Sequence, residues 1–401
     1  MALSGVKVLD FTHLLPGEVC STLLADMGAE VLRIERLEPT LNEMLPPHVQ
    51  GESLYYWSLH RNKKRLRINL KSEAGLAVVR RLALAADVII ENFRPSVMDR
   101  LGLGAAALMA ENSRLIFCSV SGYGSTSKWC ERPGHDLNFV AETGILYETQ
   151  DDQGNPVMPA VFVSDYMSGT YAALGISAAL YEREKTGRGR RIEISMFESA
   201  LSALAVTGTM GMYLGLDPSE IHVRYPDNLP NHRLYRCLDG RYLAAAPVEP
   251  EFWLKFLKLL NREDLLSRDV IKDREYLSTE LAAIFAAQPL NHWMDLFGEA
   301  NCCVSPVNKV SEAVQFLPEP NGVITSMHHD KLGLVPQISN PMKKLFWPQN
   351  KAKDWSVADP KAACTQTLAA EGFTQEEIDE LIYAQVCAEN TGKSILAIAS
   401  K

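Results

Sequence analysis

The chain has 401 residues, 47% hydrophobic and 22% charged, a balance that supports an ordinary globular core and leaves room for two domains. Its formal net charge of -9, from 40 Lys and Arg against 49 Asp and Glu, argues against a general role on nucleic acid or an anionic membrane. No run approaches the roughly 18 apolar residues of a membrane span, and the N-terminus MALSGVKVLDF lacks the pattern of an export signal, so the expected location is the cytoplasm.

In chain order, VKVLDF is a short β-branched run, and after a turn at Pro16-Gly17 the spacing of VCSTLLADMG predicts a helix closed by Gly28. EVLRIE then alternates like a strand. The unit recurs: LAVVRRLALAADVIIEN reads as a helix running into a strand, and SRLIFCSVSGYG as another strand ending in a Gly-bounded loop. The expected fold is therefore α/β with a mainly parallel sheet. Ligands of such sheets sit at the carboxyl ends of the strands, which singles out Glu35-Arg36, Glu91-Asn92-Phe93-Arg94 and Ser121-Gly122-Tyr123-Gly124.

A long helical stretch follows Asp165, with small residues from Ser168 to Ala179 that permit close helix packing, and stops at Gly187. GRGRRIEISMFESAL gives a strand and a further helix. Residues 211–231 read as a linker, 232–315 as a smaller α+β domain with a hairpin turned at Asp239-Gly240, and 316–329 as a second linker. The large domain is then 1–210 with 330–401, ending in a helix capped by Thr374 with Glu377 in the capping-box position.

The run His60 to Arg67 gathers five Lys or Arg residues, either an anion-binding cluster or a solvated loop. Eight scattered cysteines form no CxxC pair and are expected reduced and buried; Cys302-Cys303 reads as small apolar filler before it reads as a metal site or a disulfide. No P-loop, GxGxxG, HExxH or GxSxG is present, which removes the usual sequence support for phosphoryl transfer, nicotinamide chemistry, zinc hydrolysis and serine hydrolysis. What remains is isolated acids and histidines in turns. Asp165 either caps its helix through backbone N–H groups or acts chemically. His135 follows Pro133-Gly134 and precedes Asp136, a neighbour able to orient its ring.

VKVLDFTHLLPG, LLADMGAEVLRIER, RNKKRLRINLKSEAG, DVIIENFRPSVMDRLGLG, SGYG, RPGHDLNFVAETGIL, the Asp165 block through ESAL, and YRCLDGRYLAAAPVEPEFW occur in this order. Together they resemble the family III CoA-transferases (CaiB/BaiF), the group that also contains α-methylacyl-CoA racemase. The resemblance implies an interlocked, ring-like homodimer, with CoA on the large domain and the active site completed by the small domain of the second copy. It implies acyl-CoA thioesters as substrates, no permanently bound cofactor and no metal. Carried over residue by residue, it places Arg36, Asn92, Arg94 and Arg100 at or near the nucleotide end of CoA, with the stretch around Lys63 and Arg65 bordering it; guanidinium groups suit phosphate oxygens. Leu15-Pro16 departs from transferases such as formyl-CoA transferase, which carry a polar and a small residue there.

Two chemistries are implied. In a transferase, Asp165 attacks the donor thioester, a mixed anhydride forms, and CoA passes through the enzyme to a free carboxylic acid acceptor, with N–H groups at the start of the helix stabilising the oxyanion. In a racemase, Asp165 and His135 flank the α-carbon, one removing the proton and the other returning it to the opposite face. Gly134-His135-Asp136 matches the racemase GHD motif, and Glu249-Pro250 matches the EP motif whose Glu orients the histidine. Against this, racemases follow the Asp with a Gly-rich turn, where this chain has Tyr166-Met167. The balance favours the racemase slightly. Tyr147, Tyr166, Met167 and Met210 are either acyl-pocket residues or core. A third reading, from another class, is a non-catalytic CoA-binding subunit of a heterodimer.

Overall fold

The computed structural model describes residues 1–151, 153–217, 229–316, 324–329, 332–342, 355–356 and 364–387. It divides into two compact units, Met1–Ala205 with Leu317–Lys401, and Val206–Phe316.

The first unit is built on strands β1 (Lys7–Asp10), β2 (Glu30–Glu35), β3 (Lys63–Arg67), β4 (Val88–Glu91), β5 (Ile116–Ser121) and β6 (Arg191–Ser195). They lie in the order β3-β2-β1-β4-β5-β6, and all five pairings are parallel. Successive side chains of a strand face opposite sides. Thus Leu9 and Ile89 enter one apolar core, while Val8, Val88 and Ile90 enter another. Both faces are covered, as a parallel sheet requires. The first core is roofed by α3 (Glu73–Ala85); the second is packed by α1 (Leu15–Asp26) and by α5 (Val163–Thr186), which ends at Gly187 with φ 71°. Shorter helices α2 (Leu54–Leu59), α4 (Asp136–Glu142) and α6 (Met196–Ser202) complete the surroundings of the site.

Contact between α1 and α5 is close because Gly169 has no side chain. A Cβ there would lie 2.5 Å from the Pro16 carbonyl oxygen and 2.8 Å from Val19 Cβ. The small residues read in the sequence thus serve helix packing.

The second unit opens with α7 (Ala205–Leu214), so the start of the segment expected as a linker at 211–231 is helical; residues 218–228 of it lie outside the described residues. The Asp239-Gly240 hairpin forms as expected between β7 (Arg233–Arg236) and β8 (Tyr242–Ala245), and β9 (Val304–Pro306) pairs beside it. Helices α8 (Pro250–Leu259), α9 (Arg274–Ala286) and α10 (Leu290–Phe297) contribute Trp253, Phe256, Phe285, Trp293 and Phe297 to a separate core.

Of the expected linker at 316–329, residues 317–323 lie outside the described set and Ile324–His329 form β10, antiparallel to β11 (Gly333–Ile338). The chain ends, as described, in α11 (Cys364–Ala370) and α12 (Gln375–Tyr383). The Thr374 hydroxyl accepts from Glu377 N at 3.2 Å while Glu377 accepts from Thr374 N at 2.7 Å, the expected capping box. One cysteine expectation is overturned: Cys364 and Cys387 form a disulfide. The C-terminal segment returns to β3, where Asn69 N donates to Val386 O at 2.8 Å, and this brings the two thiols together in the core. Cys303 is exposed and Cys130 half-buried, against the expectation of uniform burial; Cys302 is buried. No described helix is long and apolar enough to cross a membrane, and no group of metal-ligating side chains occurs among the described residues.

Candidate active site

The chain runs outward from β1 to β3 on one side of the sheet, then restarts at β4 on the other, so β1 and β4 flank the switch point where α/β sheets open a crevice. Their following loops are tied together. Asn92 Oδ1 accepts from His13 N at 2.7 Å, Asn92 Nδ2 donates back to His13 O, and Phe93 meets the His13 ring edge-on at 5.3 Å. Buried Asp10 shapes the turn by accepting from Thr12 N and Oγ1 at 2.8 and 2.6 Å. Leu14, at φ 66°, holds a left-handed conformation that costs a non-glycine residue about 1 kcal/mol or more. Beside this loop lies a cleft of about 190 Å³ bounded by His13, Leu14, Glu18, Arg33, Arg36 and Asn42.

Behind the cleft is a buried ionic network. Arg33 lies 3.5 Å from Asp10, 3.4 Å from Glu18 and 3.1 Å from Glu35. Arg65 pairs with Glu35 and, at 2.7 Å, with Glu43; Arg67 also reaches Glu43. Lys63 Nζ donates to Glu18 O at 3.0 Å and Ser21 Oγ at 2.8 Å, and burial pushes its pKa down to about 7. The basic run is therefore neither a solvated loop nor a cluster of free cations. It is a strand whose alternation buries Lys63 and Arg65 and exposes Lys64. Lys63 and Arg65 form the framework behind the cleft, with their donors committed to internal acceptors.

Of the other residues assigned to CoA, Arg36 is exposed at the cleft, with Nη2 donating to Pro39 O at 3.2 Å. Arg94 and Arg100 are exposed on the segment after β4, Arg100 donating to Ser96 Oγ at 2.9 Å. Asn92 is engaged in holding the His13 loop.

Asp165 does not cap its helix. It is the third residue of α5, after Phe162 at the cap position, and the cap is supplied by Asp136 from α4. Asp136 Oδ1 accepts from Ser164 N at 2.7 Å and Asp165 N at 3.2 Å, while Tyr166 N donates to Phe162 O at 3.0 Å. Two expectations change with this. The N–H groups of residues 164–166 already have acceptors, so they form no oxyanion site, and the Asp136 carboxylate serves α5 instead of orienting the His135 ring.

A helix N-terminus ordinarily lowers a carboxyl's pKa. At Asp165 burial overrides this, with the negative charges of Asp136 and Glu18 adding to it, and the pKa rises to about 7. No hydrogen bond reaches its carboxyl oxygens among the described residues to favour the charged form.

His135 stands immediately before α4, exposed, with its N–H donating to Asn138 Oδ1 at 3.0 Å. Gly134 is required there: a Cβ would lie 2.8 Å from the Phe139 ring, which packs edge-on against Tyr123 at 5.2 Å. Asp136, the residue after His135, thus ties the His135 turn to the backbone at the start of α5, where Asp165 stands. Glu249, in the second unit, is exposed at the N-cap of α8 with no side-chain cap bond. Tyr147 and Tyr166 are exposed.

Sequence reasoning missed Glu18, which nothing but its place in the first turn after a Pro-Gly could have signalled. It also missed the cap made by Asp136, for which the GHD triplet was the available clue.

The family model for CoA-transferase family III matches residues 3–361. The mouse α-methylacyl-CoA racemase is 32% identical over 95% of this chain and 96% of that protein. Mouse succinyl-CoA:glutarate CoA-transferase is 30% identical over 83% of this chain and 78% of its own. A CaiB/BaiF family protein from Brucella suis has a solved structure that superposes with a TM-score of 0.77 at 24% identity, covering 94% of this chain and 99% of that one. With its parallel sheet, its crevice and its acid at the head of α5, the chain belongs to CoA-transferase family III.

Proposed function

We propose that the protein interconverts the two epimers of a 2-methylacyl-CoA thioester by moving the α-proton between Asp165 and His135. The observation that carries the reading is the Asp165 carboxyl, free of hydrogen bonds among the described residues and raised to about 7, on a helix start that Asp136 ties to the His135 turn. Epimers of an α-carbon have similar free energies, so a two-base enzyme runs both ways best when its two groups hold a proton with similar strength. A carboxyl near 7 is divided between its protonated and ionised forms near neutral pH, as a group that both gives and takes the α-proton must be.

In one direction the His135 imidazole removes the α-proton, the C–H electron pair passes into the thioester as an enolate, and the Asp165 carboxyl returns a proton to the opposite face. In the other direction the roles exchange. Both leave the thioester intact and require no acceptor acid. The likeness to the mouse racemase over nearly the whole chain supports this reading. Arg36, Arg94 and Arg100 meet the phosphates of CoA, with Lys63, Arg65 and Asn92 holding the walls of that seat.

A homodimer belongs to the same proposal. Tyr166, Leu174 and Tyr181 on α5 are exposed, as are Val206, Met212 and Tyr213 on α7 at 72, 81 and 90%. Large apolar side chains so exposed along a helix, here on one helix of each unit, call for a covering surface.

The second reading, CoA transfer through an anhydride at Asp165, is favoured by the bulky Tyr166-Met167 after the acid and by the transferase relatives. It uses Asp165 only in its ionised form, whereas the epimerase uses both forms, which a pKa near 7 makes available together. Incubation in D₂O with 2-methylacyl-CoA and dicarboxyl-CoA esters, with and without free acids, separates them. Deuterium at the α-carbon without an acceptor is the expected result; CoA moving to an added acid with no deuterium gained overturns the proposal.

A further inference from the structure

β3 stands at one end of the sheet, and an edge strand leaves a row of backbone groups to be covered. The segment from Cys364 to Cys387 meets the chain just beyond this strand, where Ile68 forms an antiparallel bridge with Cys387 and Asn69 N donates to Val386 O at 2.8 Å. Leu368, Phe373, Ile378, Leu381 and Val386 join Leu66 and Ile68 in the first core. The middle of this helical hairpin is held from α3. Arg81 donates to Gly372 O at 2.9 Å, pairs with Glu377 at 3.0 Å, and sets its guanidinium carbon 4.0 Å from the centre of the Phe373 ring. Its two ends are held to each other by the disulfide, with both cysteines 3% exposed.

The same hairpin reaches the wall of the cleft. Thr367 Oγ1, one turn on from Cys364, donates to Arg65 O at 3.4 Å. Arg65 Nη2 donates to Glu43 Oε1 at 2.7 Å, and Glu43 Oε2 accepts from Thr40 N and Oγ1 at 2.8 and 3.2 Å. Thr40, Leu41 and Asn42 line the cleft beside Arg36. A run of direct contacts therefore leads from the disulfide to the cleft. The other six cysteines are free, so a reductant acts on this one bond.

We propose that Cys364–Cys387 is a redox latch on the cleft. Oxidised, it fastens the C-terminal hairpin against β3 and steadies the Thr40–Asn42 wall; reduced, it frees the ends of the hairpin and the wall loosens. The reductant is a dithiol. One of its thiolates attacks a sulfur of the bond, which gives a mixed disulfide and releases the other cysteine as a thiolate. The second thiol of the reductant then displaces the remaining protein sulfur. Two electrons and two protons pass to the protein as two cysteine thiols, and the dithiol departs as a disulfide. Both sulfurs are buried, so an end of the hairpin must lift before attack.

The test is hydrogen exchange read by mass spectrometry on the full chain, isolated without reductant and then treated with dithiothreitol, with iodoacetamide recording the state of each cysteine. On reduction, the amides of residues 364–387 and 68–69 should exchange about 100-fold faster, the scale set by opening a crosslink over a separation of 23 residues. Those of residues 40–43 should quicken with them. Adenosine 3′,5′-bisphosphate, the nucleotide end of CoA without thiol or thioester, should bind about fivefold more weakly to the reduced protein; this arm rests on the CoA reading of the cleft. If reduction unfolds the chain, the Cys364→Ala, Cys387→Ala double variant takes its place in the same measurements. Exchange at residues 40–43, or bisphosphate affinity, that is the same in both states overturns the proposal, as do free thiols at Cys364 and Cys387 before reduction. Unfolding of the double variant as well, seen as loss of near-ultraviolet circular dichroism, also overturns it, since the bond would then staple the whole unit. If the bisphosphate does not bind the oxidised protein, the CoA reading falls, and exchange at residues 40–43 still decides the latch.

Discussion

Replacing Asp165 with Asn should stabilise the protein while abolishing its chemistry, and the stabilisation should depend on pH in a defined way. The carboxyl is raised from 3.8 to about 7 in the folded state, so the folded protein binds this proton more tightly than the unfolded chain does. A group of this kind contributes stability that is complete below the unfolded pKa and is lost as pH rises through the folded one. The loss begins near pH 4 and is complete above pH 7. A difference of about 3 pH units corresponds to about 4 kcal/mol at full ionisation, and at pH 5 to less than half of that. Asp165→Asn keeps the shape, removes the charge and escapes the loss. Urea unfolding of both proteins at pH 5 and pH 8 should show the mutant more stable at both, with the gap wider at pH 8 by about 2 kcal/mol. A gap that is constant with pH, or a mutant less stable at pH 8, would mean that Asp165 is not held protonated by its surroundings, and the two-base argument would lose its footing.

His135→Ala should separate proton exchange from inversion: deuterium enters from the Asp165 side of one epimer, while epimerisation followed by chiral chromatography drops about 10²–10⁴-fold. Asp136→Ala removes the cap of α5 and should cost about 1–2 kcal/mol in chemical denaturation, with the Asp165 midpoint in a ¹³C-carboxyl NMR titration falling in the same protein because a like charge has gone. Gly169→Ala should destabilise by about 1–3 kcal/mol despite alanine's better helix propensity, because the new methyl meets the Pro16 backbone, which cannot yield as a side chain can. Replacing Cys364 and Cys387 together with Ala should lower stability by about 3 kcal/mol, the loop-closure value for a separation of 23 residues, and alkylation with mass spectrometry of the unreduced wild type should leave these two thiols unmodified.

The sheet was legible because each strand and helix carries its own local signal: EVLRIE alternates, VIIE is buried on both faces, and Gly187 stops α5 where the pattern ends. Asp165 and His135 were singled out only through the ordered set of motifs, since an acid near a helix start reads equally well as a cap. What could not be read depends on chain segments far apart in sequence. Asp136 caps a helix 28 residues on. Lys63 and Arg65 read as a basic cluster until the strand is placed beside β2, whose Glu35 takes Arg65. The Cys364–Cys387 bond is invisible to spacing because the C-terminal segment must first return to β3.

Under the proposed epimerisation, the placement of charge in the first unit separates two tasks that would otherwise conflict. A CoA ester is polyanionic and calls for cations, yet a cation close to Asp165 would favour its ionised form and undo the proton affinity that α-proton chemistry uses. The exposed arginines Arg36, Arg94 and Arg100 are not among the groups acting on Asp165; the neighbours that do act are acids, Glu18 and Asp136. The buried cations Arg33 and Arg65 are each answered by carboxylates within the network. Asp10, Glu35 and Glu43 therefore do more than hold strands together. By pairing with the positive charge behind the cleft, they leave the acids Asp136 and Glu18 as the charges that act on the partly desolvated Asp165.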